Sequence, residues 1–233
     1  MLPETTLDEG ARGVISSTLH ERPRIQRSLL FTYRRCPYAM RARMALLQAG
    51  IEFDAYEIAL RDKPSEMLQM SPKGTVPVLV LPDQHVVDQS LEIMGWAFHG
   101  RDPCGWWDRA QSDLCQELVG LNDGPFKQYL DGYKYPERDL LHLQPEVHRD
   151  EAVACLLQPL NELLSSQRFL GGSEPCVADL AIFPFVRQYR AVDVRWFDSQ
   201  DLQATRRWLA GWLESAVFQR CMRKLTTGCT QRF

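Results

Sequence analysis

Ser28-Leu29-Leu30-Phe31-Thr32-Tyr33-Arg34-Arg35-Cys36-Pro37-Tyr38-Ala39 carries a compact strand candidate straight into the start of a helix. Proline suits the first helical position, because its missing N–H has no partner there in any case. Pro37 therefore puts Cys36 at or near the N-cap, where free backbone N–H groups and the positive end of the helix dipole converge. Both favour a thiolate, and such sites lower a cysteine pKa from about 8.5 into the range of roughly 3.5–7.5. Arg34, Arg35, Arg41 and Arg43 add positive charge around the turn. The stretch predicts an activated sulfur nucleophile. Ala39 stands where a Cys-x-x-Cys motif has its second sulfur, so Cys36 is a monothiol whose cycle needs an outside thiol.

Downstream, Ala39 to Ala49 favours a helix that Gly50 stops, with Ala42, Ala45, Leu46 and Ala49 on one face. Glu52–Ile58 alternates as a half-buried strand, and a short helix is expected over Ser65–Met70. Ser71-Pro72-Lys73-Gly74-Thr75 leads into a strand at Val76–Leu81, which a turn at Pro82-Asp83-Gln84 pairs with His85-Val86-Val87. A helix follows from about Gln89 to His99, giving the order β-α-β-α-β-β-α. Beyond Arg101-Asp102-Pro103 the pattern is helical to the end, with turn signals at Asn122-Asp123-Gly124-Pro125, Asp131-Gly132 and Gly171-Gly172. The expected organisation is a flexible extension over 1–26, an α/β domain over 27–100 and an all-helical domain over 105–233.

Composition narrows the function class. The chain has 233 residues, and 27 basic against 30 acidic residues leave a net charge of −3, which argues against holding nucleic acid through bulk charge. No apolar run approaches the roughly 20 residues that cross a bilayer, and the polar first residues do not read as a secretory signal. Seven cysteines without a framework spacing are expected to be reduced thiols in a cytoplasmic protein. His142 and His148 flank Pro145 without a zinc spacing, so no metal is expected, and neither a phosphate loop nor a dinucleotide fingerprint occurs.

Three pieces in this order resemble one family. Cys36-Pro37-Tyr38-Ala39-x-Arg41-x-Arg43, then Ser71-Pro72-x-Gly74-x-Val76-Pro77-Val78-Leu79, then Gln89-Ser90 opening a helix are similar to the N-terminal domain of cysteine-type glutathione transferases. That group includes the omega class, the dehydroascorbate reductases and bacterial relatives. Val177-Ala178-Asp179-Leu180-Ala181-Ile182-Phe183-Pro184 looks like the family's core-helix motif.

The resemblance implies a thioredoxin-like domain followed by an all-α domain, glutathione as co-substrate, a small electrophilic or disulfide substrate, and a homodimer. Carried over residue by residue, it makes Cys36 the catalytic sulfur, with Tyr38 beside it. Lys63 then meets the glycine-end carboxylate, and the Val76 backbone pairs with the cysteinyl unit beside a cis bond to Pro77. Ser90 holds the γ-glutamyl carboxylate next to Gln89. Gln89 departs from the family's usual acid, which implies weaker glutathione binding. Cys176 departs from the usual capping Ser or Thr, with Asp179 expected to compensate in part.

An aromatic group of Trp106, Trp107, Phe126, Tyr129, Tyr133 and Tyr135 is expected to line the second-substrate pocket, and Asp131–Arg138 to form a loop near the cleft. Thiol exchange is the preferred chemistry. Conjugation to an electrophile and a non-enzymatic binding module of the same fold are the alternatives.

Overall fold

The computed structural model describes residues 26–100, 102, 104–139 and 142–233, so the extension expected at 1–26 falls, Gln26 apart, outside the described residues. The α/β part follows the expected order: β1 (Ser28–Thr32), α1 (Pro37–Gln48), β2 (Phe53–Glu57), α2 (Ser65–Met70), β3 (Val78–Val80), β4 (Val86–Val87) and α3 (Ser90–Phe98). β1 and β2 run parallel, while β3 is antiparallel to both β1 and β4. This is the thioredoxin-like arrangement, and an all-helical bundle follows it.

The bundle comprises α4 (Trp106–Arg109), α5 (Asp113–Leu121), α6 (Lys127–Lys134), α7 (Pro145–Ala152), α8 (Gln158–Ser166), α9 (Val177–Arg190), α10 (Val194–Ser199), α11 (Gln203–Glu214) and α12 (Ala216–Cys221). The chain then departs from the helical pattern. Thr230–Arg232 forms β5, which pairs antiparallel with β2 and completes a sheet ordered β4-β3-β1-β2-β5 among the described residues. Three residues flanked by Gly228 and the chain end are too few for periodicity to register as a strand.

Two other turn signals prove not to be turns. Asn122–Phe126 is a kink between α5 and α6, where Gly124 leaves helical geometry (φ −96°, ψ −106°). Asp131 and Gly132 lie inside α6. Gly132 is needed there because a Cβ at that position would collide with the buried imidazole of His148. Gly171-Gly172 does form a turn, bridged between Phe169 and Gly172. The Asp179 carboxylate accepts from Cys176 N (2.9 Å), Leu170 N (3.0 Å) and Trp208 Nε1 (2.7 Å), so it closes the start of α9 that the Cys176 thiol caps poorly.

The core explains why α1 is not simply amphipathic. It lies between the sheet and the helical bundle, and every residue from Pro37 to Leu47 except Tyr38 is buried. Leu30, Ala45, Ile93 and Phe183 belong to one continuous apolar core that runs from the sheet through α1 and α3 into α9. Two arginines of α1 are buried with it. Arg41 is fully buried: Nε donates to Ala181 O (2.9 Å), Nη1 to Ser90 Oγ (3.3 Å), and the fork grips Asp123 (2.6 and 2.9 Å). Arg43 donates to Tyr33 O (3.3 Å), Arg34 O (2.8 Å) and Cys221 O (3.1 Å).

Removing one partner of a buried charge leaves the other without compensation, which is worth more than the pair's own attraction. Asp123→Ala strands the Arg41 guanidinium and is expected to lower stability by about 3 kcal/mol, measured by urea unfolding. A loss below about 1 kcal/mol would show that the clamp is dispensable.

Candidate active site

The turn from β1 into α1 is fixed before any ligand is considered. Cys36 N donates to Tyr33 O (3.0 Å), Arg34 N to the Glu57 carboxylate (2.7 Å), and Arg43 holds the carbonyls of Tyr33 and Arg34. Cys36 is the N-cap of α1 with extended backbone (φ −74°, ψ 123°), and Pro37 follows at the first helical position. The half-buried thiol opens into a cleft of about 590 Å³ between the sheet end and the helical bundle.

Tyr33, Arg35, Pro37, Tyr38, Lys63, Gly74, Thr75 and Val76 line one side of this cleft, and Lys127, Asp131, Lys134, Tyr135 and Gln188 the other. The expected Cys36, Tyr38, Lys63 and Val76 therefore stand together. Pro77 is buried behind them, joined to Val76 by a cis bond. Gln89 and Ser90 lie outside the cleft lining. Gln89 is exposed at the N-cap of α3, whereas Ser90 is buried and takes a hydrogen bond from Arg41. Asp88 is held by Ser71 (2.6 Å) and Lys73 (2.8 Å), which keep its carboxyl below the usual carboxylate range.

Most of the aromatic residues expected around a second-substrate pocket lie outside the lining of this cleft. Trp106 packs on Phe98 and Trp212, Phe126 is fully buried beside Tyr189, Tyr129 lies against His148, and Tyr133 against Tyr189. Phe126 belongs to the core, Trp106, Tyr129 and Tyr133 pack half-buried against it, and Trp107 packs against Gly95. Only Tyr135 of the group lines the cleft. Lys127 was not anticipated. Its signal is the spacing of Lys127, Asp131 and Lys134 along one helix face, hidden while Asp131-Gly132 reads as a turn.

The electrostatics also differ from expectation. Burial pushes the Cys36 thiol above the ordinary cysteine range, outweighing the opposing effects of the Ala39 and Tyr38 backbone N–H groups and the charges of Arg43 and Lys127. The thiol donates to Val76 O at 3.7 Å. Arg41 does not help it, being spent on Asp123. Burial raises Tyr38 to about 12, so its hydroxyl stays a donor. Its ring packs edge-on to Phe185 at 4.8 Å, with Lys127 Nζ 5.9 Å from its centroid. Among the described residues no cluster of three or more His, Cys, Asp or Glu side chains could hold a metal, and no helix is long and apolar enough to cross a membrane.

A thioredoxin-like domain followed by an all-helical one defines a class of protein, and the comparisons agree with it. The family model for the glutathione S-transferase N-terminal domain matches residues 35–97, and that for the C-terminal domain matches 146–215. The chain belongs to the glutathione transferase superfamily. It is similar to glutathione S-transferase omega-1 of Mus musculus, with 25% identity over 178 residues, 71% of this chain and 68% of the relative. A probable glutathione transferase of Aplysia californica is 38% identical over 58 residues, covering 25% of this chain and 63% of that protein. Among solved structures, the fold matches a glutathione S-transferase of Methylobacillus flagellatus with glutathione bound (TM-score 0.70, 19% identity, 83% and 98% of the two chains). It also matches a Pseudomonas fluorescens family member with two glutathione molecules bound (TM-score 0.68, 20% identity, 84% and 92%).

A thiol whose pKa is raised is protonated at neutral pH and gains thiolate as pH rises. Iodoacetamide labelling of Cys36, followed on its own peptide, is expected to accelerate continuously from pH 7 through pH 9 in the ligand-free protein. A plateau below pH 8 would contradict this.

Proposed function

We propose that the protein is a glutathione-dependent thiol transferase working through Cys36. One observation carries the reading: a lone thiol at the N-cap of α1, open to the cleft, with Ala39 where an internal partner would stand. The Cys36 thiolate attacks a disulfide sulfur of the substrate, the enzyme–substrate S–S bond forms, and the other sulfur leaves with the electron pair. Glutathione thiolate then attacks the mixed disulfide and returns Cys36 to the thiolate.

In this reading Lys63 receives the glycine carboxylate and the Val76 backbone pairs with the cysteinyl unit. Gln89 and Ser90 meet the γ-glutamyl end at the start of α3, where helix N–H groups favour an anion. Val76 O is also the acceptor of the resting thiol, so a ligand that takes this carbonyl removes a bond that favours the protonated sulfur.

A cytoplasmic location, the domain limits 27–100 and 105–233, and a homodimer complete the proposal. The groove between α3 and α4, with Leu91, Trp96 and Trp107 along it, supplies apolar surface for the dimer.

Glutathione-dependent reduction of the mixed disulfide of glutathione and 2-mercaptoethanol is expected for the wild type and is expected to vanish in Cys36→Ser. Activity surviving the substitution would remove the thiol mechanism. Conjugation of an electrophile without disulfide reduction would favour the conjugating alternative. Gln89→Glu restores a carboxylate for the ligand's ammonium and is expected to tighten glutathione binding in calorimetric titration. No change would move the γ-glutamyl end away from α3.

A further inference from the structure

The two sides of the cleft differ in chemistry. On the side of the sheet stand Lys63 and the Val76 backbone, the proposed seat of glutathione. Facing them is α6, which presents Lys127, Asp131 and Lys134 and then Tyr135. Lys127 forms an ion pair with Asp131, one turn along the helix, and its charge reaches Cys36. The Lys134 ammonium sits 4.7 Å from the Tyr135 ring centroid, set against an aromatic face rather than a described carboxylate. Arg35 lies exposed at the rim.

The cleft lining thus carries Arg35, Lys63, Lys127 and Lys134 against Asp131, in a chain whose net charge is −3. A positive concavity on an acidic protein concentrates anions, because low-dielectric walls focus the field and the rest of the surface repels them. Lys63 is assigned to glutathione, so the excess on α6 is left for the second substrate.

We propose that the second substrate is an anionic disulfide, bearing a carboxylate or similar group on the half that faces α6, with Lys134 as the residue that selects it. This rests on the thiol-exchange reading and adds the substrate class. In a glutathionyl mixed disulfide the glutathionyl half takes the Lys63–Val76 side and the remaining half faces α6. Cys36 thiolate attacks the glutathionyl sulfur, the Cys36–glutathione bond forms, and the substrate thiolate leaves with the electron pair. A second glutathione thiolate attacks that adduct, which yields glutathione disulfide and frees Cys36. Lys127 faces both thiolates, while the Lys134 ammonium, held against the Tyr135 ring, meets the anionic tail.

The test compares two glutathione mixed disulfides of similar length, one with 3-mercaptopropionate and one with 2-mercaptoethanol. The expected ratio of kcat/KM favours the carboxylate substrate by on the order of tenfold at low salt and shrinks as ionic strength rises. Lys134→Gln is expected to bring the ratio close to one, and Lys134→Arg to restore it. Turnover of both substrates without preference, or a preference unchanged in Lys134→Gln, would overturn the inference alone. Turnover of neither would overturn the thiol-exchange reading and the inference with it.

Discussion

The guanidinium of Arg41 is fully buried, and its partners come from three other segments: Ser90 at the start of α3, Asp123 in the kink, and Ala181 in α9. A charge in that position is tolerated because each of its three nitrogens meets a hydrogen-bond acceptor. The geometry that satisfies it also sets the molecule's working parts. α1 is locked against the helical bundle, so the N-terminus that carries Cys36 and the face of α6 that carries Lys127 and Lys134 hold a fixed relation. The kink at Gly124 belongs to the same arrangement, since it delivers the Asp123 carboxylate to the fork.

Cys36 shows how burial and dipole compete. Its place at a helix start supplies two N–H groups that favour a thiolate, yet desolvation is the larger effect and the resting sulfur holds its proton. A thiol in this state is protected from casual oxidation, because the thiolate is the reactive form. In the proposed mechanism its activation falls to the ligand in the cleft, through the Val76 carbonyl and the charge of Lys127. The neighbouring arginines serve the scaffold: Arg41 clamps helices, and Arg43 ties the loop before Cys36 to α12 through Cys221.

The α/β half was legible because its signals are local. Pro37 marks a helix start, Gly50 a stop, and the short apolar runs at Ser28–Thr32 and Val78–Val80 mark strands, with errors only of a residue or two at their ends. The helical half was less so, because tertiary contacts override local ones. Gly132 reads as a turn until His148 is seen packed on it, and Thr230–Arg232 becomes a strand only because β2 offers a free edge. For the cleft, the grouping of Cys36, Tyr38, Lys63 and Val76 could be expected from sequence since they follow a motif. The facing side was legible only in part, since Asp131–Arg138 is expected near the cleft but as a loop rather than as the end of a helix. The aromatic residues pack on the core, as Phe126 and Tyr133 do on Tyr189, and charged residues of α6 line the cleft, hidden while Asp131-Gly132 reads as a turn.

That Cys36 exchanges disulfides with glutathione is tested most directly by exposing the native protein to glutathione disulfide and mapping the modified peptide. The expected result is a single glutathionyl group on Cys36 that reduced glutathione removes. Labelling of the exposed Cys104 or Cys229 with Cys36 left free would contradict it.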